Sequence, residues 1–125
     1  MPVDFELDVP ARIVRVRLYG TVSDADLIAA DDDLRACRDF EPDFDQLVDM
    51  TRAEDGQVTA ETIRELARRP PLFSSASRRA FVVRTDLGYG LARIFQARRG
   101  DVAGEIQIFR SLAHANHWLA NGARS

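Results

Sequence analysis

The hydrophobic pattern of this chain switches repeatedly between a period of two and a period of about 3.6, and each switch marks a strand handing over to a helix. Val3, Phe5, Leu7 and Val9 alternate with Asp4, Glu6 and Asp8, the signature of a strand with one covered face. Pro10-Ala11 turns the chain. Val14, Val16 and Leu18 then alternate with Arg15, Arg17 and Tyr19. The two segments predict an antiparallel hairpin whose outer face sets acids against arginines.

Ser23 is placed to cap a helix, with Asp24 and Asp26 in its positive first turn. Leu27, Ala30, Leu34 and Cys37 follow on one stripe. An acidic loop over Asp39 to Asp45, broken by Pro42, leads to a third strand, Gln46 to Met50, and to the turn pair Asp55-Gly56. Thr59 caps a second helix with Ile63, Leu66 and Ala67 inward, stopped by Pro70-Pro71. Ala80 to Arg84 is apolar on both faces, which predicts a strand near the sheet centre. Asp86 is expected to cap a third helix with Leu87, Leu91, Ile94 and Phe95 inward, and Gly100 to end it. Glu105 to Arg110 makes the last strand. Ser111 caps a final helix with Leu112, Ala115 and Leu119 inward and Trp118 near its edge.

The order is therefore β-β-α-β-α-β-α-β-α. It predicts one α/β domain over residues 1–125, with a mostly parallel sheet and an antiparallel first strand at one edge. A chain of 125 residues that is 46% hydrophobic can bury about two thirds of its unfolded surface. Cys37, the only cysteine, rules out an internal disulfide and reads as a small core residue. The opening Met1-Pro-Val-Asp-Phe-Glu has no basic and apolar leader pattern, and no apolar run approaches the roughly 20 residues of a membrane span. The expectation is a cytoplasmic protein.

All 17 basic residues are arginine, and the net charge of −3 is the wrong sign for a nucleic-acid-binding domain. Residues 1–62 hold 16 acidic side chains against 6 arginines, whereas residues 63–125 hold 4 against 11. Such opposed halves either compensate each other within the fold or steer a partner.

No set of residues assembles into a catalytic centre. Gly88-Tyr-Gly90 sits where a strand hands over to a helix, but the third glycine of a dinucleotide fingerprint is replaced by Arg93. A tightly packed helix start explains these glycines as well. His114 and His117 are two potential ligands where zinc needs three or four. Arg99-Gly100-Asp101 reads as a helix-stop turn. The expectation is a protein without metal, cofactor or enzymatic activity.

Ligands of open α/β sheets gather beyond the carboxyl ends of parallel strands. That edge carries Asp49, Thr51, Thr85, Asp86 and Tyr89, with Arg93 one turn further on. Together they would suit a small polar ligand; alternatively Asp49 and Asp86 cap backbone amides. Val48, Met50 and Val82 alternate toward the face expected to lack helices, and an apolar patch there would mark an interface.

The whole chain resembles STAS/SEC14-type domains of the SpoIIAA-like group of small bacterial proteins. The resemblance rests on the first hairpin, Gln46-Leu-Val-Asp-Met-Thr51, Arg79-Ala-Phe-Val-Val83, Gly90-Leu-Ala-Arg-Ile-Phe95 and Ala115-Asn-His-Trp-Leu119. It implies a βα superhelix with helices mostly on one side of the sheet. In members similar to anti-sigma-factor antagonists, phosphorylation of a Ser in an Asp-Ser pair switches partners. The matching stretch here is Asp55-Gly-Gln-Val-Thr-Ala60, where Thr59 is the nearest hydroxyl. SEC14-type members enclose a lipid in an apolar pocket. Two functions follow as expectations: a non-enzymatic regulatory module working through protein contact or homo-oligomerisation, or a carrier of a small anionic or lipid-like ligand.

Overall fold

The computed structural model describes residues 2–100 and 102–121, so Asp101 of the expected helix-stop turn lies outside the described residues. The hairpin is β1 (Val3–Asp8) and β2 (Ile13–Gly20). Three helix–strand units follow: α1 (Asp24–Arg35) with β3 (Asp45–Ala53), α2 (Ala60–Arg68) with β4 (Arg78–Val82), and α3 (Asp86–Arg99) with β5 (Glu105–Phe109). α4 (Leu112–Asn121) is the last helix described.

The strands lie in the order β1-β2-β3-β4-β5, with β1 antiparallel to β2 and the remaining neighbours parallel. Each parallel strand is added beside the one before it, so right-handed crossovers carry α1, α2 and α3 to the same face. On that face Val14, Val16, Leu18, Phe81 and Val83 pack with helix residues such as Leu27, Leu34 and Ala92. α4 covers the opposite face, where Ala115 and Leu119 pack on Ile13, Leu47, Ala80 and Val82.

The hairpin register is the one that alternation demands. Asp4 stands opposite Arg17, and Arg15 opposite Glu6. Asp4 accepts from Arg17 Nε at 3.2 Å, and Asp8 accepts from Arg15 Nη1 at 3.0 Å. These pairs are largely exposed, so each contributes little to stability. Across the two halves of the chain, Arg69 of the basic half joins Asp31 at 2.9 Å and Asp32 at 2.6 Å.

The caps follow the sequence at α1 and α2. Ser23 and Asp26 form a reciprocal capping box. Thr59 Oγ accepts from Thr62 N, and Asp24 in turn accepts from both the Thr59 amide and hydroxyl, which locks the start of α2 onto the start of α1. These bonds hold the Asp24 carboxyl below its ordinary pKa.

Several expectations are corrected. Thr85, not Asp86, caps α3, because its extended backbone lets Oγ reach the Gly88 amide at 3.0 Å. Asp86 instead points to solvent and accepts from Arg110. Leu87 and Leu112 are exposed, the latter because only Ala115 and Leu119 of α4 face the sheet squarely. β4 begins at Arg78 rather than Ala80, with both arginines buried beneath flanking rings. Val48, Met50 and Val82 do not share a helix-free face: Val48 and Met50 face α1 and α3, while Val82 is sealed under α4. The cause is register, which sets Val82 beside Asp49 on the face opposite Val48 and Met50, and α4 covers that face over β3 to β5.

Candidate functional site

The space between the sheet and α1–α3 is not filled. A cavity of about 220 Å³ lies there, lined chiefly by apolar side chains including Phe5, Leu18, Leu27, Met50, Phe81 and Leu91. Protein interiors normally pack to crystal-like density, with few voids larger than a water molecule. This half-open, mostly apolar pocket leaves side-chain surface that a ligand could cover.

The cavity carries charged side chains at both ends, with Arg84 beside the acids at one and Asp31 beside Arg79 at the other. Toward the carboxyl ends of the strands it is bordered by Ala53, Glu54, Asp55, Thr85 and Leu87. There Glu54 accepts from Thr21 Oγ at 3.2 Å and Asp55 from Thr85 Oγ at 2.8 Å, which ties the β3–α2 loop to the neighbouring loops. Toward the amino ends it is bordered by Asp31, Leu34, Gln46 and Arg79.

Arg79 is the unusual member of this lining. It is 6% exposed and has no ion pair among the described residues. Its Nε donates to Gln46 Oε1 at 3.0 Å and its Nη1 to the Ala103 carbonyl at 3.2 Å. The guanidinium lies 4.3 Å from the Phe73 ring centre and 5.5 Å from that of Phe95. Burial, reinforced by the like charge of Arg99, holds its pKa well below the ordinary guanidinium value. Asp31, which lines the same end of the cavity, offsets part of this cost without a direct ion pair.

The sequence-predicted site residues do not converge. Asp49 accepts from the Thr51 amide at 2.9 Å and hydroxyl at 2.6 Å, closing the bulge where β3 carries an extra residue against β2. Thr85 stands at the cavity mouth. Asp86 pairs with Arg110, whose guanidinium lies 5.1 Å from the Tyr89 ring centre on the exposed side of α3. Arg93 bonds to Gln96 on its own helix. The reason is topological: with strands in chain order there is no reversal point to gather these side chains into one cluster.

Three further features bear on the site. The Gly88 amide is already used by Thr85, and a Cβ at Gly88 would come within 3.3 Å of Thr85 Oγ. Close packing therefore accounts for this glycine without a phosphate. The Thr59 hydroxyl is held between Asp24 and the Thr62 amide. A second, open cleft of about 580 Å³ lies between the hairpin's charged face and α4, lined by residues including Asp4, Arg17, Tyr19, Asp49 and Leu112. Its Asp4 and Arg17 bind each other, and its Asp49 is spent on the bulge.

Gln46 and Arg79 are what sequence reasoning missed. Counting back in twos from Val83 and Phe81 places Arg79 on the inner face, and the sheet register sets Gln46 opposite it. The alternation is thus a usable signal once the strand is taken to begin at Arg78 rather than Ala80.

The fold has a counterpart among solved structures. An uncharacterised protein of the DUF3478 family from Shewanella loihica PV-4, described as having a SpoIIAA-like fold, superposes with a TM-score of 0.60. The two chains are 17% identical, and the match covers 94% of this chain and 91% of the other. No protein-family model matches the sequence, and no curated protein does.

Proposed function

We propose that this SpoIIAA-like domain is a non-enzymatic carrier or sensor that holds a small lipid-like ligand in the cavity between its sheet and α1–α3. The observation that carries this reading is the half-open, mostly apolar pocket of about 220 Å³. The ligand lies beneath the helices rather than in a cluster at the carboxyl edge. No proton transfer or nucleophile is required of the lining. None of the described helices is long and apolar enough to cross a membrane.

The test uses Nile red, a neutral dye that brightens in apolar surroundings. Purified protein is expected to enhance its emission saturably. Ala30→Phe, which places a ring into the cavity wall, is expected to weaken dye binding roughly tenfold or more, the equivalent of about 1.4 kcal/mol. Absence of saturable enhancement, or equal binding by the folded variant, rules the reading out.

A second reading, regulation through protein contact, draws on the open cleft. Tyr19 and Leu112 are 39% and 40% exposed and both border it. A second copy of the chain covering these residues would make a homodimer. Sedimentation at low and high salt is expected to show concentration-dependent association; a strict monomer under both conditions removes self-association.

A further inference from the structure

Gln46 places a side-chain amide on the inner, apolar face of the sheet. Met50 and Val48 of the same strand pack on that face, and counting back in twos sets Gln46 at its amino end. The residue is 7% exposed and lines the cavity together with Arg79 and Asp31. Its strand neighbours are Val14 on β2 and Arg79 on β4, so its backbone is held from both sides.

Elementary chemistry fixes which way that amide points. Gln46 Oε1 accepts from Arg79 Nε at 3.0 Å, and Arg79 is itself held through Nη1, which donates to the Ala103 carbonyl at 3.2 Å. A guanidinium offers donors only, so a flipped amide would set Nε2 against Nε, donor against donor. Nε2 is therefore turned away from Arg79 Nε. It has no acceptor among the described residues. The polar side-chain atoms sealed from solvent without a partner there belong to Arg78 and Arg99, not to Gln46. The open side of Nε2 is the cavity that Gln46 lines. A buried donor left without an acceptor costs more than a satisfied one gains, so each such group asks for an explanation.

We propose that Gln46 Nε2 is the recognition donor of the cavity, and that its ligand is a neutral, mostly apolar molecule carrying a carbonyl oxygen. The free donor calls for an acceptor, and the mostly apolar lining calls for a hydrocarbon body. The charges at the same end favour a neutral acceptor. Asp31 and Arg79 are opposite in sign, and Asp31 offsets part of the Arg79 charge. A ketone or ester oxygen accepts from Nε2 without burying a further charge among them. This rests on the cavity-binding reading above and adds the ligand's functional group.

The test displaces bound Nile red with octan-2-one or with 2-methyloct-1-ene, which share a tail and differ as C=O against C=CH2. The ratio of their inhibition constants cancels the affinity of the dye. Gln46→Glu keeps the shape and an oxygen for Arg79 Nε but, ionised, has no donor; Gln46→Met removes both. In each variant the ketone is expected to lose about fivefold or more relative to the alkene, as fits one neutral hydrogen bond. Should Gln46→Glu fail to fold, Gln46→Met decides. In the unaltered protein, the carbonyl stretch of bound octan-2-one is expected to lie below its frequency in alkane solvent. No displacement by the ketone, an unchanged ratio in a folded variant, or a bound stretch equal to that in alkane overturns the assignment to Gln46. Failure of the dye to bind at all instead removes the cavity reading beneath it.

Discussion

Replacing Phe44 with alanine is expected to cost about 3–5 kcal/mol of unfolding free energy, the usual range for deleting a buried aromatic ring. Phe44 is fully buried between the sheet and the end of α1, against Val14, Leu34 and Phe73. Its ring meets Phe40 edge-on at 5.8 Å, and the Arg12 guanidinium lies 5.1 Å from its centre. Phe40 also packs edge-on against Phe73 at 5.1 Å, and Phe73 is the ring beneath Arg79. The loss should therefore spread to the Arg79 end of the cavity. Against a typical domain stability of about 5–15 kcal/mol, the variant should unfold at markedly lower urea concentration. A circular-dichroism titration giving a change below about 1 kcal/mol would contradict the packing described.

Gly104→Ala is expected to cost about 2–4 kcal/mol, from a strained backbone and a backbone clash together. Gly104 has φ +100°, and an added Cβ would stand 2.7 Å from the Ser77 carbonyl oxygen. That oxygen accepts from the Glu105 amide at 2.9 Å, the bond that starts β5 beside β4. The chain has to shift, and Ala103, whose carbonyl holds Arg79, shifts with it. Gly90→Ala is the matched comparison. Nothing lies within 4 Å of a Cβ there, so inside a helix it should gain about 0.5–1 kcal/mol. Equal effects of the two substitutions in thermal melts would remove the steric account of Gly104.

The fold was legible because each element announces itself locally. The alternation of Val3 to Val9 and of Val14 to Leu18 fixed the hairpin and its charge pairing, and Ser23 and Thr59 marked helix starts that the structure keeps. What failed were choices between near-equivalent neighbours, such as Thr85 and Asp86, where backbone conformation decides which side chain turns back to the helix. The site was much less legible. Strand order cannot be read from periodicity, and without it the carboxyl-edge cluster of Asp49, Thr51, Thr85, Asp86, Tyr89 and Arg93 looked convergent. A void has no sequence signature either, since Leu18, Leu27 and Met50 line the cavity with the same residue types that elsewhere fill a core.

The placement of α4 also bears on how the protein is made. Because neighbouring strands are consecutive in the chain, each unit can dock on the last as it leaves the ribosome, where synthesis delivers about 5–20 residues per second. The face carrying Ile13, Leu47, Ala80 and Val82 stays uncovered through all of that time, because its cover is the 10-residue helix produced after every strand. A nascent chain halted before Leu112 would present this apolar surface to its neighbours on the polysome. Docking of α4 is thus the step that takes this surface out of reach of other nascent chains.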